Sequence, residues 1–293
     1  MILAARLTPD SRSLGSRLLS PLRRASSLLP LAAAALCATP AQATTRSFVT
    51  THESRVLAPG RSELAPWTTL RVGRSRYYSR LEGQLQLEHG LTRGLELSLF
   101  WNFETETQDV VADSLTRQVS RVTRSELSGA AAELKYQLTS PTVDALGSAL
   151  QLRATLGPNH SALWARLIVD RQLGGWLFAA NVGARLDLVP RRNASGAELA
   201  TAFVLEPTLA AAYQLAAGAS IGLELRAPLG LSGDEKSSTL FGGPVARVSD
   251  DRWWAALGVQ PQLLAFSGDS DGSRLDLNGH ERLELRLLAG FLL

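Results

Sequence analysis

Cysteine, methionine and lysine are almost missing from this chain of 293 residues, and no stretch is apolar enough for a membrane-spanning helix. The one Cys is Cys37 and the one Met is Met1. A single thiol excludes a disulfide framework, a Cys-rich zinc site and a dithiol redox motif. With four His in all, no metal-ligand cluster is recognisable, and no Gly-rich phosphate loop occurs, so no cofactor is expected. Lysine is confined to Lys135 and Lys236, and arginine supplies the rest of the 30 basic residues. Arginine suits fixed, paired charge better than solvating charge.

The amino terminus accounts for much of the basic character. Five Arg (Arg6, Arg12, Arg17, Arg23, Arg24) precede the run LLPLAAAALC and then ATPAQA. A basic region, a short apolar run and an A-x-A site describe a secretory signal over residues 1–43, with cleavage between Ala43 and Thr44. A lipoprotein signal would need a small residue before Cys37, where Leu36 stands. Removing the segment takes out five Arg and one Asp and leaves 25 basic and 26 acidic residues. The positive charge therefore leaves with the signal and makes no case for nucleic acid as a partner. Cys37 leaves too.

At the other end, RLELRLLAGFLL (Arg282–Leu293) alternates with a period of two: Leu283, Leu285, Leu287, Ala289, Phe291 and Leu293 on one parity, Glu284 and Arg286 on the other. Similar spans recur from Leu64 onward. They are Leu64–Gly73, Leu81–Leu87, Leu95–Phe103, Ala130–Leu138, Leu150–Leu156, Leu163–Val169, Trp176–Asp187, Phe203–Gln214, Ser220–Leu229, Leu240–Val248, Trp253–Leu263 and the terminal one. Many approach the length that a tilted strand needs to cross a bilayer. Leu240–Val248 and Trp253–Leu263 are interrupted by Gly and Pro, and two others are poorly patterned. In Leu64–Gly73 the alternation is weak, and in Leu163–Val169 Trp164 and Ile168 share parity with Arg166 and Asp170.

Connections supply a second test. Short turns (GLTRG, LGG, LAAGA, SDDR) alternate with longer polar stretches at Glu104–Arg124, Pro190–Glu198, Ser232–Thr239 and Ser267–Glu281. Alternation alone also fits a secreted soluble sandwich. The loop asymmetry and the terminal strand favour an all-β, antiparallel up-and-down transmembrane barrel of about twelve strands over residues 64–293, with short periplasmic turns and longer extracellular loops. Residues 44–63, polar and weakly patterned, read as a periplasmic lead-in. Closure would be compulsory, because an unpaired strand edge cannot persist in hydrocarbon.

With the apolar parity toward lipid, the lumen collects Arg80, Glu82, Glu96, Glu133, Lys135, Arg153, Arg166, Asp170, Arg185, Asp187, Glu206, Glu224, Arg226, Glu284 and Arg286. Such a set either filters solutes in a water-filled path or locks the lumen shut through Arg–carboxylate pairs. A hydrolase is the different-class alternative, and it needs a nucleophile and base within reach. His52 falls in the lead-in and His89 in a short turn. His160 and Ser161 are adjacent and so point to opposite faces, and His280 is a loop residue with no Ser paired to it in sequence. Asp269, Asp271 and Asp276 miss the spacing of a calcium loop, and Asn193-Ala194-Ser195 is a glycosylation pattern of little meaning in a bacterial context. The chain is expected not to be an enzyme and to hold no metal.

The stretch LEHGLTRGLELSLFWNFE (Leu87–Glu104) resembles the E-Y-G-L-T-D-R-L-E-L hairpin of a large group of outer-membrane transporters that includes the phenol meta-cleavage-pathway family. His89 stands where that hairpin has an aromatic, and Arg93-Gly94 where it has Asp-Arg. ARLIVDRQLGGWLFAANVGARLD and LEPTLAAAYQLAAGASIGLELRAP are similar in style to the same group. The resemblance implies a Gram-negative outer-membrane barrel, passive transport of small solutes, lipid as its surroundings and the barrel-assembly machinery as a partner. Phe291 and Leu293 would carry the insertion signal. A barrel with a plugged lumen, structural or acting through its loops, is the alternative.

Overall fold

The computed structural model describes residues 46–113, 118–193, 196–232, 237–266 and 274–293. The proposed signal segment, its cleavage point at Ala43 and Thr44, and the aspartates Asp269 and Asp271 lie outside them. Thirteen strands are present: β1 (Ser62–Val72), β2 (Tyr78–Gly90), β3 (Leu95–Asp113), β4 (Gln118–Thr139), β5 (Gly147–Leu156), β6 (Ser161–Leu173), β7 (Trp176–Asn193), β8 (Gly196–Ala216), β9 (Ala219–Arg226), β10 (Leu229–Ser232), β11 (Thr239–Ser249), β12 (Trp253–Ala265) and β13 (Leu283–Leu292). β9 and β10 both pair with β8 and are halves of one stave, interrupted at Ala227–Pro228 where proline cannot donate to a ladder. The staves therefore number twelve.

Each strand from β1 to β8 pairs antiparallel with the next, β8 pairs with β9, and β9, β11, β12 and β13 follow. β13 then pairs with β1, from Val72↔Leu283 to Glu63↔Leu292. This register makes Leu64–Gly73 a strand despite its weak pattern. Its inward residues are Glu63, Ala65, Trp67, Thr69 and Arg71, so the face that carries the amphipathic signal is mixed in size and charge.

Outward residues are apolar and well exposed in the absence of lipid: Leu152, Leu156, Leu209, Leu223 and Leu287 among them. Trp176, Phe178 and Tyr213 stack near the end of the barrel that bears the amino terminus of β1. Trp253 pairs with Phe291 at the same end. Amphipathic rings there match the girdle that sits at a membrane interface. Phe291 and Leu293 lie on this outer face.

Strand lengths differ from the sequence reading. β3 and β4 have 19 and 22 residues, so Glu104–Arg124 is mostly a projecting hairpin rather than a coil loop. Thr105 bonds Ser125, Thr107 bonds Thr123 and Arg121 bonds Asp109 across it. Such cross-strand polar pairs sustain a ladder without an apolar face. β7 and β8 likewise carry Pro190–Glu198 into a second hairpin.

The largest departure concerns the lead-in. Residues 46–57, expected in a periplasmic lead-in, lie inside it, and residues 58–61 form an exposed turn into β1. Phe48 and Val49 are buried against Ala179, Ala210, Ala212, Val245, Trp254, Ala256 and Leu288. These inward small residues leave room for them, and Gly258 leaves more: a Cβ there would come within 2.4 Å of Val49. A polar segment without alternation cannot join the sheet, but its backbone donors can be satisfied by lumen carboxylates.

Candidate functional site in the barrel lumen

The internal segment is held by side chains, not by a ladder. Among the described residues, 46–57 make no backbone–backbone bond. Glu224 on β9 accepts from the amides of Val49, Thr50 and Thr51 at 2.9, 3.0 and 2.8 Å. Asn181 on β7 accepts from the amide of His52 and donates to its carbonyl. Asp170 on β6 takes Ser54, Glu96 on β3 takes Leu57, and the ammonium of Lys135 on β4 donates to the carbonyl of Arg55. Arg46 pairs with Glu88 on β2 at 2.8 Å. The segment thus crosses the lumen and touches staves all round it. Glycine at position 90 is required where the chain leaves, because a Cβ would meet the carbonyl of Ala58 at 2.3 Å.

Of the charged residues assigned from parity, Glu96, Glu133, Lys135, Asp170, Asp187, Glu206, Glu224, Arg226 and Glu284 are buried, and Arg80, Glu82, Arg153, Arg166, Arg185 and Arg286 line a cavity; they divide by task. Glu96, Lys135, Asp170 and Glu224 anchor the segment, whereas Glu133 accepts from Gln151. A second group forms an ion-pair network. Glu284, fully buried, receives Arg71 at 2.6 Å and Arg226 at 2.7 Å, and also Arg286. Arg71 reaches Glu82 and Glu281, Arg226 reaches Glu206, and Arg80 joins Glu82 to Glu104. A third group lines β5 to β7: Arg153, Arg166 and the Arg185–Asp187 pair, with His160 on Asp187 at 2.7 Å.

Trp164 and Ile168 share this inner wall, which accounts for the irregular parity of β6. Parity reasoning missed Arg71, Glu63 and Glu88. Glu88 was legible, since it continues the row Glu82, Gln84, Gln86.

Two cavities lie on opposite sides of the internal segment. One, of about 350 Å³, has Thr50 and His52 among its walls, together with Trp67, Phe103, Trp164 and seven arginines against four glutamates. The other, of about 440 Å³, is bounded by Ser47, Glu53 and Arg55 and by Arg247, Asp250 and Asp251 at the opposite end. Burial, and then Arg166, Arg46, Lys135 and Arg153, hold the His52 imidazole well below its ordinary value. Burial pushes the Glu53 carboxyl up, against two bonds from Ser47 and the charge of Arg55.

Among the described residues the histidines do not assemble a triad. His89 bonds Ser62 at 2.8 Å on β2, not in a free turn. His280 does have a serine partner that sequence did not show, Ser237 Oγ at 2.7 Å. No carboxylate is bonded to its other ring nitrogen among the described residues, and Asp276 instead caps the turn at Asn278 and Gly279. No group of three or more His, Cys, Asp or Glu suited to a metal occurs among the described residues.

Residues 40–162 match the model of a family of unknown function, DUF6662. No curated protein sequence matches the chain. Among solved structures, an outer-membrane channel of the COG4313 group from Pseudomonas putida F1 is 14% identical and superposes with a TM-score of 0.59 over 84% of this chain and 100% of that one. The NanC porin gives 12% and 0.50 over 78% of this chain and 100% of its own. The β domain of the Bordetella autotransporter BrkA gives 11% and 0.50 over 80% and 100%. At these identities the likeness is one of architecture. The fold is that of a closed, twelve-stave outer-membrane β-barrel whose lumen holds residues 46–57.

Proposed function

We propose that the protein is a passive channel for small solutes in the outer membrane of a Gram-negative bacterium, constricted by residues 46–57. One observation carries this reading: two polar cavities stacked along the lumen, separated by a segment tethered only through side chains. Side-chain tethers can exchange for water one at a time, whereas a strand ladder opens cooperatively or not at all. The channel folds of the neighbouring structures and the resemblance to the phenol meta-cleavage-pathway group agree with it, without indicating a solute.

The test is planar-bilayer conductance of folded protein, for the chain beginning at Thr44 and for a variant lacking residues 46–57. Discrete conductance that rises in the shortened variant supports the channel. The dense network around Glu284 favours a second reading, a closed barrel with a structural role. Silence of both proteins, each shown to be folded by heat-shifted gel mobility, would establish that one instead.

A further inference from the structure

The charges around the 350 Å³ cavity are not evenly paired. On the β13–β1–β2 wall every guanidinium has a carboxylate. On the facing wall, Arg153 and Arg166 have none within 4 Å among the described residues, and both line the 350 Å³ cavity. Arg166 gives one bond, to Gln151 Oε1 at 2.9 Å. Arg153 lies over the Phe100 ring at 4.0 Å, and its Nε is buried without any partner. The nearest candidates are engaged elsewhere, since Glu133 accepts from Gln151 and Glu206 pairs with Arg226. A buried, unpartnered donor of a permanent cation is costly, so this wall has unfilled demand for an anion.

The surroundings narrow the class of anion. A guanidinium fork matches a planar carboxylate bidentately. Trp164 lies between Arg166 and Arg185, its ring 5.4 Å from the first and 5.1 Å from the second, and Trp67 faces the same space. We propose that Arg153 and Arg166, with Trp164 beside them, form a binding subsite for small organic carboxylates that carry a flat apolar body. The cavity volume suits a single ring with one carboxylate. The subsite rests on the channel reading only for the route by which a solute arrives.

Calorimetry on the detergent-folded full-length mature chain tests it without requiring conduction. Benzoate, neutral benzamide and cationic benzylamine are titrated in turn. The expected result is saturable binding of benzoate, at least about tenfold weaker binding of the other two, and a loss of roughly tenfold or more in Arg153→Gln and in Arg166→Gln, as one charge-assisted bond pair implies. Arg121→Gln, on the exposed hairpin, leaves benzoate binding unchanged. Equal binding of benzoate and benzamide, or no binding of benzoate to the unaltered protein, overturns the subsite whatever the variants do. A barrel that conducts but ignores benzoate refutes this inference alone, and one that binds benzoate yet never conducts refutes the channel alone.

Discussion

Replacing Glu224 with alanine removes the acceptor of three consecutive amides of the internal segment. Each is a bond to a charged group, worth about 1.5–3 kcal/mol. Because one carboxylate serves all three, the sum is not additive, and the docked arrangement of Phe48–Thr51 loses on the order of 3–5 kcal/mol. Opposing release, the burial of Phe48 and Val49 holds about 3–5 kcal/mol in place. The anchors at Asn181, Glu96 and Glu88 also remain. The undocked population of this stretch therefore rises by roughly two to four orders of magnitude. Glu224→Gln, which keeps one acceptor oxygen, falls between. The assay is twofold: single-channel conductance, and the labelling rate of Val49→Cys by a hydrophilic thiol reagent, with Glu224 intact or replaced. A chain beginning at Thr44 has no other thiol to confuse the second reading. Unchanged conductance together with unchanged labelling, in protein that keeps its heat-shifted mobility, would refute the tethering argument.

Three further outcomes follow from the same geometry. Gly258→Val places side-chain atoms where Val49 sits, so it raises Val49→Cys labelling without touching any charge, and normal labelling would count against the packing described. His52→Gln alters the response to acid. The docked imidazole has a depressed pKa and binds fewer protons than the released one, so docking is fully stable above the ordinary imidazole value near ~6.5 and weakens as pH falls through it. Glu53, whose pKa is raised, contributes with the opposite sign, so the measured quantity is the difference in conductance between the two proteins at falling pH, which should grow in favour of the unaltered chain and vanish above neutrality. Deleting Phe291–Leu293 removes the bonds from Leu292 to Arg252 and Leu293 to Ser62 and the first register pairs with β1; loss of the heat-shifted gel form is expected, and its retention would show closure does not need them.

What could be read from sequence, and what could not, divides along physical lines. The twelve staves were legible wherever lipid demands one apolar face, as in β5 or β13. β6 was blurred because Trp164 and Ile168 face inward, where a wide lumen accepts large apolar groups as readily as charged ones. The hairpin of β3 and β4 was hidden because water surrounds both of its faces, so Thr105–Ser125 and Thr107–Thr123 carry no periodic signal. The internal segment was illegible for a different reason. Its partners stand far along the chain, Glu224 and Gln260 lying 174 and 210 residues from Thr50, and no local pattern encodes that meeting.

Those separations also set a sequence of events. The acceptors for residues 46–57 are spread over β2, β3, β6, β7 and β9, which stand at correct distances from one another only when β8 has met β9 and β13 has met β1. Contacts of such range are entropically expensive before the wall exists and cheap after it. Docking of Phe48 is therefore a last step, slower than hairpin formation and conditional on the ring being complete. A protein arrested before closure would show residues 46–57 to proteases, and a finished one would hide them, so protection of Arg46–Leu57 is a clock for assembly.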